Sequence, residues 1–518
     1  MTEYASDERV KPLQRLGLIV RQVHEPKTIA LVLALVAILG AGAFIRLHFS
    51  GFLDPFEDGY QNWWISANLA STGQYWDRHS MMTQGNWLPL YHFFGAGVLE
   101  VAGLRSMGAL KDANIVISSL TSLLVFFISR KRGPLIALAA TSFFTFNFID
   151  VVVSGWATGE SLATFLTLLG YAMLFQFDGR TSRRYWVAGF ALGLAVLVRY
   201  EAWLIVGLLV VFILFARKHD RTTRAMFVSI LPALALMVGY FAYSTQWGFL
   251  PSIIINQTST DLRYQLSVGT QPSPATALGR WWTGYLGFFP LVLPIGAGYS
   301  ILRLRREFGS WIVVALWGFI TVYTLVLFGN PSFRYVMISV PFLSLFAAFA
   351  LAFLALRLGH RGTEDAAGRV RRTLLVTLAG TVLLSATLLP SIAVSWGPGF
   401  STSQAMEPLA RAGQYVGTLA LPEGKILLSE SPIAAYFSGY PPDRILGSRW
   451  LPDNRSVALA FLKSTTAYVV YMGVPYYKLR MLFPELQNGA STADFQFLYD
   501  AGGQQAGTHA VFVYGIRP

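Results

Sequence analysis

Residues 50–94 read SGFLDPFEDGYQNWWISANLASTGQYWDRHSMMTQGNWLPLYHFF. The stretch is polar, aromatic and acidic in a chain that is otherwise apolar almost throughout, and it follows directly on the first long apolar run. It sets Asp54, Glu57 and Asp58 at a lipid–water boundary, ahead of a tryptophan-rich amphipathic segment and of His79 and His92. Carboxylates in that position are expensive to desolvate, which makes them candidates for a working site.

Working outward, 54% of the 518 residues are hydrophobic and only 13% are charged, and apolar runs that approach the ~20 residues needed to cross a ~30 Å hydrocarbon core recur along the chain. This predicts an α-helical polytopic membrane protein. The runs lie near 28–48, 111–129, 134–151, 157–177, 185–199, 201–216, 225–244, 283–302, 309–328, 335–356 and 373–394, about eleven transmembrane helices in all. The first run is full length and lacks a small-residue cleavage site, so it is expected to remain as a span rather than act as a signal peptide.

Charge placement orients the chain. With the N-terminus in the cytoplasm, most of the 40 Lys and Arg residues fall in the basic tail 1–27 and in short inner loops, such as Arg130-Lys131-Arg132, Arg217 to Arg224 and Arg357 to Arg372. The net charge of +13 therefore follows topology. The basic residues are divided among separate hairpins and form no single patch, so nucleic acid is not an expected partner. The absence of cysteine excludes disulfides, thiolate catalysis and Cys-ligated zinc. The expected localisation is the plasma membrane.

An odd number of spans delivers the C-terminus to the outer face, and composition changes there after Trp396-Gly397-Pro398. Between residues 397 and 518 short strand-like runs (KILLSE, RILG, AYVVYMG, FQFLYD, HAVFVYGI) alternate with helix-like ones (SPIAAYF, SVALAFLKS, YYKLRMLF). At roughly 120 residues this is long enough for an extracytoplasmic α/β domain. It contains no glycine-rich phosphate loop, and the plainest reading is a lid or acceptor platform. The expected organisation is thus tail 1–27, membrane domain 28–396 with a first outer loop 49–110, and outer domain 397–518.

Polar residues near the membrane gather on the outer side. The first loop carries the acids and histidines already named; Asp150 and Glu160 follow in the second, Arg199 and Glu201 in the third, Asp261, Arg263 and Arg280 in the fourth, and Arg334 in the fifth. Such a face can handle an anion and a proton together. Each element also has a plain structural reading. Glu57-Asp58-Gly59 is a turn or helix-cap signal; Arg199 and Glu201 can pair within a tight hairpin; Arg334 after Gly329-Asn330-Pro331 can snorkel; and Trp63, Trp64, Trp76 and Trp87 suit an interfacial belt.

The order of first span, short loop with an acidic pair, interfacial helices and a Pro-Leu-Tyr helix start resembles the GT-C superfamily of integral-membrane glycosyltransferases. The resemblance is strongest to the branch of protein O-mannosyltransferases and aminoarabinose transferases. SGWATGESLATFLTLLGYAM (154–173), LAVLVRYEAWLIV (194–206) and FRYVMISVPFLSLFAA (333–348) resemble that group's glutamate-bearing helix start, its L-x-R-x-E/D hairpin and its R-Y-x-x-x-x-x-P-F-L helix. Together the markers run from about residue 28 to residue 350. Many relatives carry Asp then Glu, whereas this chain has Glu57 then Asp58, which leaves the identity of the base open. Alignment with an Asp-Asp-x-Tyr variant matches Asp58 to the second acid and Tyr60 to the tyrosine.

The resemblance implies a membrane glycosyltransferase that moves a sugar from a polyprenyl-phosphate donor to an acceptor hydroxyl on a protein, lipid or glycan, with inversion, at the outer face. Asp58 is then the general base and Glu57 its partner, or a ligand together with Asp58 if a divalent cation such as Mg or Mn takes part. Arg334, with Arg199 or Arg263, holds the phosphate, and Tyr60, Glu160, Glu201 and His92 complete the substrate site. An oligosaccharyltransferase-like enzyme is the nearest rival. A non-catalytic assembly subunit would not need the acid pair, and a transporter would place its charges nearer the bilayer midplane.

Overall fold

The computed structural model describes residues 26–55, 57–75, 88–176, 182–215, 221–245, 291–303, 307–327, 333–359, 366–396, 406–473, 477–502 and 510–517, with a few isolated residues between 273 and 282. His79, Trp76, Trp87, Arg263 and the tail 1–25 lie outside these residues.

Each expected apolar run carries helix wherever it is described. Helix α1 (Pro26–Ser50) is followed by α2 (Glu57–Thr72) and α3 (Pro89–Ala102), within the loop expected on the outer face, and then by α4 (Met107–Arg130). The run 134–151, expected as one helix, is a bent pair, α5 (Pro134–Thr145) and α6 (Phe148–Ser154), at 57° to each other. The bend has a local cause, because Asn147 is extended and its side chain accepts from the Ile149 amide at 3.0 Å to cap a new helix start. Helix α7 (Glu160–Tyr171) ends in a π-turn at 172–176, and α8 (Ser182–Val196), α9 (Tyr200–Phe215) and α10 (Arg221–Thr245) follow. Next come α11 (Val292–Arg303), α12 (Phe308–Leu327), a 3₁₀ segment (Phe333–Ser339) that runs into α13 (Val340–Gly359), and α14 (Ala366–Val394).

By length and composition four of these helices can cross a membrane alone, and the bent pair makes a fifth; α9 and parts of α10 and α12 are apolar but shorter. Helix α1 buries only 6% of its most apolar window, as a lipid-facing helix should, whereas the window at 334–355 is 89% buried. Inside the bundle Arg46 pairs with Asp150, both almost inaccessible, and Ser118 donates to the Asp150 oxygens at 2.9 and 2.8 Å. A charge pair so far from water survives because its partners satisfy each other.

The C-terminal region is the expected α/β domain. Helix α15 (Glu407–Gly417), β1 (Ile426–Ser429), α16 (Pro432–Phe437), β2 (Ile445–Gly447), α17 (Arg455–Thr465), β3 (Thr466–Met472), α18 (Lys478–Leu482), β4 (Phe495–Gly502) and β5 (Val511–Ile516) build one sheet in the order β2-β1-β3-β5-β4. Strands β1, β2 and β3 are parallel, and β5 runs antiparallel to β3 and β4.

Trp63 and Trp64 do not form the expected interfacial belt. Both are fully buried and, with Tyr60, join one apolar cluster with Leu409, Ile433 and Val470 of the C-terminal domain. The amphipathic face expected to meet lipid headgroups is roofed by protein instead, which removes it from water at lower cost. Trp63 keeps its polar edge satisfied by donating to the Leu104 carbonyl at 2.8 Å.

Candidate active site

Four helix starts converge beneath that roof. Asp58 lies in the first turn of α2, Glu160 opens α7, Glu201 lies in the first turn of α9 just after Arg199, and Arg334 lies in the 3₁₀ segment before α13. Acids suit these positions, since the first turn of a helix presents unpaired N–H groups and a positive dipole end. Their mutual approach concentrates three carboxylates and two guanidinium groups.

Arg334 pairs with Asp58, and its Nε stands 3.6 Å from Glu160 Oε1. The same Glu160 oxygen lies 3.1 Å from Arg199 Nη1. Arg199 also makes a fork on Glu201, from Nε to Oε2 at 3.1 Å and from Nη2 to Oε1 at 2.7 Å. The local Arg199–Glu201 pairing expected of a tight hairpin therefore exists, and Glu160 ties it to Arg334. The Tyr335 ring lies under both cations, its centroid 5.7 Å from the Arg199 and 5.5 Å from the Arg334 guanidinium carbon.

Asp54 takes no part in this group. It accepts from Lys111 Nζ at 2.7 Å and from the Ala157 amide at 3.1 Å, against the backbone of α2. Gly59 is required there, because a Cβ at that position would come within 1.9 Å of Asp54 Oδ2.

His92 has a fixed protonation pattern. Asn62 Nδ2 is committed to the Ala157 carbonyl at 3.0 Å, so its oxygen accepts from His92 Nε2–H at 2.9 Å. His92 Nδ1 is then left to accept from the Tyr75 hydroxyl at 3.0 Å. Burial pushes the imidazole down to about 3, which keeps it neutral.

These groups line a cavity of about 530 Å³. Asp58, Asn62, His92, Arg199, Glu201 and Arg334 form its polar end, while Leu204 of α9 and Leu316, Phe319 and Ile320 of α12 form an apolar wall. Phe319 is half exposed.

Of the residues expected in the site, Asp58, Arg334, Arg199, Glu201 and His92 are lining residues, and Glu160 stands behind the two arginines. Tyr60 turns instead toward Tyr436 and Phe437, with ring centroids 5.5 and 6.0 Å away. Glu57 points into the C-terminal domain, where it meets Ser431 and Tyr477. Arg263 lies outside the described residues. Sequence reading missed Asn62 and Tyr335 as lining residues; Asn62 was discoverable, since it falls one helical turn after Asp58 on the same face.

Glu57 and Asp58 hold different partners, Ser431 and Tyr477 for the first and Arg334 for the second. Among the described residues no group of three or more acids or histidines has metal-site geometry.

Residues 105–243 match the family model of dolichyl-phosphate-mannose-protein mannosyltransferase. ArnT from Cupriavidus metallidurans in the apo state superposes with a TM-score of 0.61 at 14% identity, over 94% of this chain and 98% of that one. The same protein bound to undecaprenyl phosphate gives 0.56 at 14% identity over 93% and 97%. An oligosaccharyltransferase from Archaeoglobus fulgidus, tethered with an acceptor peptide, gives 0.50 at 15% identity over 93% and 74%. No curated protein matches the chain by sequence. The family model covers residues 105–243 alone, and the structural likeness, at 14% identity, shows that the chain shares the fold of ArnT over nearly its whole length.

Proposed function

We propose that this protein moves a single sugar from a polyprenyl-phosphate donor to an acceptor hydroxyl at the outer face of the plasma membrane, with inversion and with Asp58 as general base. The observation that carries the reading is the cavity itself. It joins a carboxylate–arginine cluster to an apolar wall, the two surfaces needed by a phosphate on a long isoprenoid. The similar ArnT structure with undecaprenyl phosphate bound supports the donor class.

Charge balance gives the order of events. With all five groups ionised, the three acids outnumber the two arginines, so an incoming phosphate must displace a carboxylate from a guanidinium. Asp58 is the one to yield, since its side chain is 26% exposed against 2% for Glu160 and 13% for Glu201. The donor phosphate then takes over Arg334, and Asp58 is released toward the acceptor. As the acceptor oxygen attacks the anomeric carbon from the face opposite the phosphate, Asp58 removes its proton and the C–O bond to the phosphate breaks. Arg334 and Arg199 hold the charge that develops on the leaving group. His92, neutral and fixed by Asn62 and Tyr75, contributes shape and hydrogen bonding rather than a proton.

The test is transfer by purified protein in nanodiscs, with polyprenyl-phosphate-linked sugars offered beside nucleotide sugars. Consumption of the lipid-linked donor with release of polyprenyl phosphate is expected; use of nucleotide sugars alone would refute the reading. Because the chain has no cysteine, single cysteines introduced at Asp443 and Lys131 report orientation cleanly, the first being labelled from outside and the second from inside.

A further inference from the structure

The C-terminal domain meets the membrane part at a particular point of its sheet. Strand β1 is flanked by β2 on one side and β3 on the other, all three parallel, so the chain reverses direction across the sheet at the β1/β3 boundary. In open α/β sheets the crevice beyond the carboxyl ends of such a strand pair is where ligands settle. Here Glu430 and Ser431 follow β1, and Tyr477 follows β3.

The group that lies against this crevice is the side chain of Glu57. Ser431 Oγ donates to its Oε1 at 2.7 Å and the Tyr477 hydroxyl to its Oε2 at 3.5 Å. Close by, the fully buried Glu430 accepts from the Met472 amide at 2.8 Å, the Leu479 amide at 3.1 Å and Ser448 Oγ at 3.4 Å. A site that other sheets keep for a ligand thus grips a residue of the membrane part, and the next residue in the chain is Asp58.

We infer that the C-terminal domain grips Glu57 in order to orient Asp58 within the cavity, which makes Glu57, Ser431 and Tyr477 positioning residues for transfer; this rests on the reading of Asp58 as base. The physical need is clear from the location. Glu57 and Asp58 occupy the first turn of α2, where the leading N–H groups have no intrahelical partner and the helix frays most readily. Consecutive helical residues point about 100° apart, so fixing Glu57 toward the domain fixes Asp58 toward Arg334. The turn also backs onto Asp54, which leaves no room for a Cβ at Gly59 and is itself held by Lys111. Farther along α2 the Trp63 ring stacks edge-on against Tyr436 at 4.8 Å.

The test uses full-length protein in nanodiscs, with steady-state transfer kinetics beside amide hydrogen exchange at residues 60–65, the first hydrogen-bonded turn of α2. The Ser431→Ala/Tyr477→Phe double variant should lose about tenfold to a hundredfold in kcat with donor KM within about twofold, and exchange at 60–65 should accelerate. In an Asp58→Asn background the same pair should cost no further rate while still accelerating exchange. Glu57→Gln keeps an oxygen to accept from Ser431 and offers its amide N–H to the Tyr477 hydroxyl oxygen, and should retain most activity, whereas Glu57→Ala should behave like the double variant. Wild-type kcat with unchanged exchange in the double variant overturns the inference. So does a loss in Glu57→Gln as deep as in Asp58→Asn, which would make Glu57 a reacting group. Wild-type transfer in Asp58→Asn would overturn the base assignment and with it the purpose of the grip, an outcome told apart from failure of the grip itself by the exchange data.

Discussion

Asp58→Asn should lower turnover and tighten donor binding at once. The substitution keeps the shape of the side chain and removes both the proton acceptor and the anion that holds Arg334. Loss of a general base costs ~10²–10⁴-fold in the chemical step. The second effect is set by the Asp58–Arg334 pair, whose side chains are 26% and 10% exposed. That places it between surface pairs, worth about 0–1 kcal/mol, and buried pairs, whose rupture costs about 3–5 kcal/mol. A value of about 1–1.5 kcal/mol no longer spent on displacing Asp58 corresponds to roughly fivefold to tenfold tighter donor binding. Arg334 stays beside Glu160 at 3.6 Å, so folding should be retained. The assay pairs donor titration by quenching of tryptophan fluorescence with single-turnover transfer at saturating donor. Wild-type turnover would refute the base role. Slow turnover with weakened donor binding would refute the competition, since Asp58 would then be contacting the donor rather than vying with it for Arg334.

Arg334→Lys keeps the charge and loses the planar fork, so donor affinity should fall roughly tenfold to a hundredfold in the same titration while the melting temperature holds. His92→Phe leaves the buried Asn62 oxygen without its donor and should cost about 1–3 kcal/mol, read as a lowered urea midpoint. The third expectation concerns pH. Burial raises Glu57 to about 7 and Glu430 to about 8 from an ordinary 4.5, with Asp58 adding to the first and Glu57 to the second. The unfolded chain therefore gives up these protons near 4.5 while the folded chain holds them up to 7–8. Between those limits the unfolded state binds fewer protons, so the stability of the domain contact is greatest below about 4.5 and declines as pH rises to about 8. The ionisable groups facing this pair are Asp58 and Tyr477 beside Glu57 and Tyr471 beside Glu430. Glu430→Gln should flatten the decline in thermal melts taken at pH 5, 7 and 9; an unchanged slope would place the titration elsewhere.

What the sequence could and could not tell follows from range. Apolar runs and five short strands are local patterns, and the helices and the sheet follow them closely, down to the strand at KILLSE whose last residues reach the Glu57 crevice. The bend at Asn147 was missed because an Asn between Phe146 and Phe148 barely interrupts hydropathy, although its capping side chain restarts the helix. The Arg199–Glu201 fork was readable because the two residues share one hairpin, but its link through Glu160 to Arg334 joins segments that only packing brings together. Glu57 and Asp58 show the limit most sharply. They are adjacent and chemically alike, so no local rule separates a proton acceptor from an anchor. What separates them is Ser431, 374 residues away, which claims one carboxylate and leaves the other facing Arg334. A division of labour imposed by a distant domain leaves no trace in the spacing of the pair, and it implies that replacing the crevice residues should disturb the same chemistry as replacing the acid pair.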